Sequence, residues 1–419
     1  VHRLGPALGV RDFKLWWLAL VGMGISLQMI DVAIGWEVYA QHHSALDLGW
    51  IGLAEFIPMF VLALPAGQLA DRVPRRLIFA GSLLVGAGVG IGLAAVSNAG
   101  VTSVVPYLAL AVGSGIAMAL GTPAARAMTP TLVPHELLGS AMTLRSIATQ
   151  SGQVAGPAIG GLLYGVSPTL VYLLATGSCL LGCGCALAMR PGHVAETDEA
   201  QLARAPGLES VVEGLVFVRR APILLGAILL DLLAVLFGGA VALLPIFAQS
   251  ILHVGPAGLG VLRAAPAVGA LLAAAVVTRR PIRGGAGRLL LTVVLLYGAS
   301  MVVFGLSRTF VISLLALAVS GFVDLYSMNI RSTTVALATP NRLRGRVNAV
   351  EMVFISASNQ LGAFESGLAA SLVGTVPAVV GGGVMTMLIA LSWARIFPEL
   401  AAVDRLESIK PVGVVESAV

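Results

Sequence analysis

Hydrophobic residues run along this 419-residue chain in long blocks, not in the alternating or one-sided stripes of a soluble protein. Twelve of these blocks are about 20 residues long, the length of helix that crosses a hydrocarbon layer. They fall near 15–38, 49–70, 77–97, 103–123, 139–165, 169–189, 221–247, 257–278, 288–307, 309–330, 347–373 and 377–397. One long polar interruption, 190–220, separates the sixth from the seventh. It carries Glu196, Asp198, Glu199, Arg204, Glu209 and Glu213, then Arg219 and Arg220. From Leu208 to Val218 apolar residues recur at helical spacing, which predicts a surface helix within it. The pattern predicts an all-α membrane protein: a six-helix bundle over 1–189, a central loop over 190–220, a second bundle over 221–397 and a tail over 398–419.

The basic residues orient this array. With both termini placed in the cytoplasm, 23 of the 25 lysines and arginines fall on the cytoplasmic side. Arg308 alone falls outside, and Arg263 lies within an apolar run. Positive charge is retained on the cytoplasmic side of membranes, and one missed helix would scramble the split. The array therefore predicts a multi-pass membrane protein with both termini in the cytoplasm.

Composition then removes other classes. Hydrophobic residues make up 58% of the chain and charged residues only 11%, against about 25% charged in soluble proteins. The 50 glycines suit helices packed closely in lipid. The isoelectric point near 9.4 comes from bases in short turns, with no aromatic-interleaved stripe, so nucleic acid is not an expected partner. Cys179, Cys183 and Cys185 share one apolar run and read as packing residues, so no metal site is expected. The six histidines do not cluster, and His42 and His43 read as solvated loop residues. The first apolar run is too long for a cleavable leader and lacks its small-residue cleavage site. There is no G-x-x-x-x-G-K loop, and Gly86, Gly88, Gly90 and Gly92 alternate within a helical run with no strand before them. No cofactor is expected, and bound ATP cannot drive this chain.

The two halves echo each other about 206 residues apart. Pro134-His-Glu-Leu-Leu-Gly139 aligns with Pro340-Asn-Arg-Leu-Arg-Gly345. One residue further in offset, Gln153 aligns with Gln360 and Gly160 with Gly367. Repeated six-helix halves are a transporter architecture, with the substrate held between them near the bilayer midplane.

The loop after the second run reads Gly67-Gln-Leu-Ala-Asp71-Arg72-Val-Pro74-Arg75-Arg76. It resembles the signature G-x-x-x-D-R-x-G-R-R of the major facilitator superfamily, with Pro74 in place of the second glycine. The fifth run holds Gly152-Gln-Val-Ala-Gly156-Pro157-Ala-Ile-Gly160-Gly161, similar to that superfamily's antiporter motif G-x-x-x-G-P-x-x-G-G. Thr129-Pro-Thr-Leu-Val-Pro134, Glu136 and Ala141 lead into it, with Thr339-Pro340, Arg344-Gly-Arg-Val347 and Ser358-Asn-Gln360 in the second half. These resemble the enterobactin-exporter-like and multidrug-exporter branch over residues 11–400. The resemblance implies the twelve-helix fold, a cytoplasmic latch built from Gly67, Asp71, Arg72, Arg75 and Arg76, and export in exchange for protons. The arginine that proton-driven drug exporters carry in helix 4 has no counterpart in 106–121, so coupling must use another group, or there is none.

An acid at the membrane centre costs about 2.5–3.5 kcal/mol and is tolerated where it faces a cavity or a partner. Asp31 leads the proton-coupling candidates, because Gln28, Asp31 and Gly35 share one helical face that is polar or small. Asp324, Glu365 and Asp231 follow. Asp324 and Arg331 are seven residues apart on one face, where an ion-pair network fits as well as transport. Glu351 and Glu55 lie nearer helix ends and read as gate or loop partners. Arg263 would neutralise an acid or bind an anionic substrate. Gln28, Trp36, Gln150, Asn359 and Arg263 are the candidate cavity residues.

The expected activity is alternating-access export of a small amphipathic compound, a drug or siderophore-like metabolite, by proton antiport. The expected partners are substrate, protons and lipid, and the expected state is a monomer. An uncoupled facilitator or importer is the alternative transport reading. A non-transporting receptor or scaffold is the alternative of another class. An intramembrane hydrolase would need a catalytic context that Asp231 and Asp324 lack.

Overall fold

The computed structural model describes residues 5–190, 208–280, 282, 284–340, 342–409 and 411, with backbone alone at 63, 64, 66–68, 70–72, 208–211, 349 and 356. Its first six long helices are α1 (Arg11–His42), α2 (Ala45–Arg72), α3 (Arg75–Asn98), α4 (Val104–Met128), α5 (Leu138–Tyr164) and α6 (Pro168–Ala188). A short amphipathic helix, α7 (Leu208–Arg220), precedes α8 (Pro222–Gly238), where the surface helix was expected. Then come α9 (Gly255–Arg279), α10 (Ala286–Leu306), α11 (Phe310–Ala338), α12 (Arg344–Val373) and α13 (Thr375–Ile396). No strand occurs among the described residues.

Local chemistry explains several ends. The Ser44 and Ser103 hydroxyls accept the free amides of Asp47 and Val105 at the starts of α2 and α4. Pro168 and Pro222 occupy the first positions of α6 and α8, where the missing amide costs nothing. Between α12 and α13 the chain turns within one residue at Gly374, whose φ of 92° favours glycine.

Among the described residues ten spans are long and apolar enough to cross a membrane, counting Pro222–Ile251 as one. The two remaining long helices are α5 and α12, of 27 and 30 residues. Gln150 and Gln153 interrupt the first, and Glu351, Asn359 and Gln360 the second. These helices occupy equivalent places in the two halves, so the repeat concentrates its polar side chains in the same helix each time.

The chain forms two compact units, Val1–Ala205 with Leu244–Ala264, and Pro206–Leu243 with Ala265–Val419. In the first, α1 packs on α5 and α6, α3 on α4 and α6, and α2 on α4. In the second, α8 packs on α12 and α13, and α10 on α11 and α13. That is the same scheme moved on by six membrane-crossing helices.

Glycine makes the equivalent contacts in both units. A Cβ on Gly115 of α4 would lie 2.6 Å from the ring of Pro58 in α2 and closer still to the Glu55 carbonyl. A Cβ on Gly321 of α11 would overlap the backbone of Pro266 in α9. Two prolines and two glycines thus recur about 206–208 positions apart at the same helix crossing. In lipid, such small-residue contacts replace hydrophobic burial as the source of helix association. Gly321→Ala is expected to lower thermal stability by about 1–3 kcal/mol, as overpacking does. Gly81→Ala, with nothing within 4 Å of the new methyl, should leave the unfolding midpoint unchanged.

Candidate functional site

Residues four apart on a helix stack on one face, and α1 uses this to meet the segment Leu244–Ala264. Asp31 accepts a hydrogen bond from Arg263 Nη2 at 3.1 Å, with the two side chains 25% and 18% exposed. One turn on, a Cβ on Gly35 would touch the ring of Pro245 at 3.1 Å. A further turn on, the Tyr39 and Ser250 hydroxyls are 2.8 Å apart. Gln249 adds a bond from its amide to the Trp36 carbonyl at 2.9 Å, and the Trp36 ring lies 6.4 Å from that of Tyr164. The helix is broken just before these residues, at Gly239–Ala240, and passes through a short π-helical turn, Phe247–Ile251. That irregular backbone places Gln249 and Ser250 against α1.

The glycines of α5 set its distance from α1. A Cβ on Gly152 would lie 2.9 Å from the Gly24 backbone, one on Gly156 2.5 Å from Gln28 Cβ, and one on Gly160 2.9 Å from Met29 Cα. On another side of α5, a Cβ on Gly161 would lie 2.4 Å from the Pro256 carbonyl, and a Cβ on Gly260 would meet that of Pro157. The Gly-Pro motif therefore serves two close packings, one against α1 and one against the first turn of α9. Gly156→Ala is expected to separate α1 from α5 and reduce transport severalfold. Gly139→Ala, which meets nothing within 4 Å, should transport normally; equal rates for both variants would refute the packing role.

The motif after α2 is described in part. Gly67, Asp71 and Arg72 are described in their backbone alone. Arg75 donates to the Ala127 carbonyl at 3.2 Å and Arg76 to that of Met189 at 2.6 Å. These carbonyls lie at the ends of α4 and α6, where unpaired acceptors favour a cation.

In the second unit, Asp231 pairs with Arg331, which is 7% exposed and also bonds the Ser327 hydroxyl at 3.1 Å. Arg331 thus meets the aspartate of α8 and not Asp324, which makes no ion pair among the described residues. Sequence spacing alone could not choose between them, because Asp231 is 100 positions away. Both residues line a small cleft with Glu351, Phe354 and Val335. Glu365 stands beside Ser366, whose hydroxyl occupies the Gly239 carbonyl freed by the break after α8. Asn359 is exposed and bonds back to the Ile355 carbonyl of its own helix at 2.9 Å. Gln28 lies beside Gly156, and Gln150 is half-buried on α5. A separate ion pair, Arg346 to Glu213 at 2.5 Å, ties α7 to α12.

Two arrangements escaped sequence reading. Glu37 is 4% exposed and accepts hydrogen bonds from Tyr107 at 2.9 Å and Tyr172 at 2.5 Å. Its signal was available, since two tyrosines interrupt apolar runs, but their helices are far apart in sequence. His42 is not a solvated loop residue: it ends α1, with Nδ1 2.7 Å from Asp47 and Nε2 at the Thr102 carbonyl.

Comparison with known proteins fits this arrangement. The family model for transmembrane secretion effectors matches residues 6–413. The enterobactin exporter EntS of Escherichia coli (strain SMS-3-5 / SECEC) is 26% identical over 399 residues, covering 91% of this chain and 92% of that one. The EntS of Shigella boydii serotype 18 is 27% identical over 335 residues, covering 78% and 77%. Among solved structures, a D-xylose-proton symporter superposes with a TM-score of 0.72 at 14% identity, covering 93% of this chain and 98% of that one. A bacterial homologue of the human lysosomal transporter Spinster, in its inward-facing unoccupied conformation, gives 0.71 at 15% identity with the same coverage. The fold is that of major facilitator transporters, as the repeat and the loop signature implied. Matched by that family model over residues 6–413, the chain belongs to the transmembrane secretion effector family of the major facilitator superfamily.

Proposed function

We propose that this transporter exports a small amphipathic compound, a drug or siderophore-like metabolite, in exchange for protons. The observation that carries the reading is the Asp31–Arg263 pair, which joins α1 to a segment following the first helix of the second repeat. A carboxylate and a guanidinium hold each other only while both are charged. A proton on Asp31 removes that attraction and frees Arg263. An anionic group on the substrate, such as an ionised catechol, would compete with Asp31 for the same guanidinium. Proton and substrate would then act on one ion pair, which is what exchange requires. The exporter likeness of the EntS relatives supports the direction. Gln28 and Trp36 flank the pair on α1, and Gln150 and Asn359 are the corresponding polar candidates on α5 and α12.

In this reading the protein works as a monomer in the bacterial inner membrane with both termini in the cytoplasm. Asp71, Arg72 and Arg76 latch its cytoplasmic side, and Asp231, Asp324 and Glu365 are secondary proton candidates. The test is accumulation of drugs and catechol siderophores in an efflux-deficient bacterium making the protein, with and without a protonophore. Lower accumulation that the protonophore abolishes is expected. Lower accumulation that survives it would leave export and remove proton coupling. No change for any compound would remove the export reading.

A further inference from the structure

The polar interruption between the two bundles ends in α7, which the transport reading does not use. One face of this helix is packed. A Cβ on Gly214 would stand 2.9 Å from the Arg346 carbonyl and 3.2 Å from Val350 Cγ2 of α12. Val218, one turn on, is 1% exposed, and Glu213 pairs with Arg346. Arg346 and Val350 belong to the first two turns of α12, so α7 lies beside that helix and not beneath its end.

Spacings of three and four residues share a helix face. Val212, Leu215, Val216 and Arg219 therefore form a second stripe, turned away from Gly214 and Val218. Its three apolar residues are 54%, 43% and 43% exposed. A 13-residue helix is marginal in water on its own, and most helical stability comes from burying an apolar face.

Position and charge say what covers the stripe. Ala221 alone separates α7 from Pro222, where the span Pro222–Ile251 begins. At about 1.5 Å per helical residue, Leu215 and Val216 lie within about 10 Å of the point where the chain enters the membrane. An amphipathic helix held there sinks its apolar face into the boundary of headgroups and acyl chains. Arg219 and Arg220 end the helix, Arg342 and Arg344 flank the start of α12, and all four are exposed. Among the described side chains of α7 the one acid, Glu213, is taken by Arg346. This edge of the second unit, on the side that the arginine distribution assigns to the cytoplasm, is thus positive beside an apolar stripe. Anionic headgroups complement the charge and acyl chains the stripe; a soluble acidic partner would satisfy the arginines alone.

We propose that α7 is an anionic-phospholipid site: Val212, Leu215 and Val216 enter the acyl layer of the cytoplasmic leaflet, and Arg219 and Arg220 hold the headgroups. Through the Glu213–Arg346 pair and the Gly214 contact, bound lipid also steadies the start of α12. The proposal is independent of substrate and of proton coupling. Its test uses the full chain with Cys179, Cys183 and Cys185 replaced by alanine and a fluorophore attached through Val216→Cys. The protein is placed in vesicles of phosphatidylcholine, alone or mixed with phosphatidylglycerol, with brominated acyl chains as quencher. Quenching should be severalfold stronger in the anionic vesicles. High salt, or Arg219→Gln combined with Arg220→Gln, should remove the difference. Both arginines are exposed and enter no ion pair among the described residues, so the double variant should fold. A second measurement needs no label: added phosphatidylglycerol should raise the thermal midpoint of the unmodified chain in detergent by several degrees, and that of the double variant far less. A label that brominated chains leave unquenched in anionic vesicles would overturn the proposal, whether water, the 191–207 segment or a protein partner meets the stripe. Quenching or stabilisation that ignores lipid charge would overturn it as well.

Discussion

Asp31→Asn is expected to abolish proton-driven export while sparing exchange of substrate across the membrane. Asparagine keeps the shape of the side chain and can still offer an oxygen to Arg263, but it neither binds nor releases a proton. The driven rate should fall on the order of tenfold or more, the effect of losing about 1.4 kcal/mol of driving interaction. Exchange without a gradient needs only substrate binding and alternation, so it should fall far less. Arg263→Gln makes the complementary test. It leaves Asp31 without its cation in a half-buried site, so neutral substrates should still move while anionic ones lose affinity. Parallel rate measurements with and without a gradient, on both variants, separate coupling from binding. A driven rate unchanged in Asp31→Asn would remove the coupling assignment.

Arg331→Met is expected to be the most destabilising single substitution in the second unit. Arg331 and Asp231 are both nearly buried, and removing one partner of such a pair costs about 3–5 kcal/mol because the other charge is left uncompensated. The double variant Asp231→Asn, Arg331→Met removes both charges and should regain most of the loss. Thermal unfolding in detergent reads this directly. If the single and double variants unfold together, the cost comes from packing around Arg331 and not from a stranded charge.

The sequence carried the architecture because each element of it is a local property. Apolar length gives the spans, and the arginine distribution registers them. The repeated Pro-x-x-x-x-Gly segments disclose two halves before any contact is known. α5 and α12 show the limit of that reading. Apolar length marks them less strongly than the other ten, and the positive-side count supports including them. The candidate site was legible as a face, Gln28, Asp31 and Gly35, but not as a set of partners. The Asp31 partner is 232 residues away; Arg263 stands out as the base within an apolar run, but nothing local says which acid it meets. The same distance hid Tyr107 and Tyr172, which lie 70 and 135 residues from Glu37. Arg331 illustrates the opposite error: the spacing to Asp324 fits one helix face, yet the ion pair forms across helices with Asp231.

The central claim is exchange of substrate for protons, and it is tested most directly in proteoliposomes loaded with substrate and a pH-sensitive dye. The membrane potential is clamped and the outside is acidified. Substrate should leave faster, and the lumen should acidify only when substrate is present, with both effects absent in Asp31→Asn. Substrate efflux without substrate-dependent proton entry would contradict the account and make the protein an uncoupled facilitator.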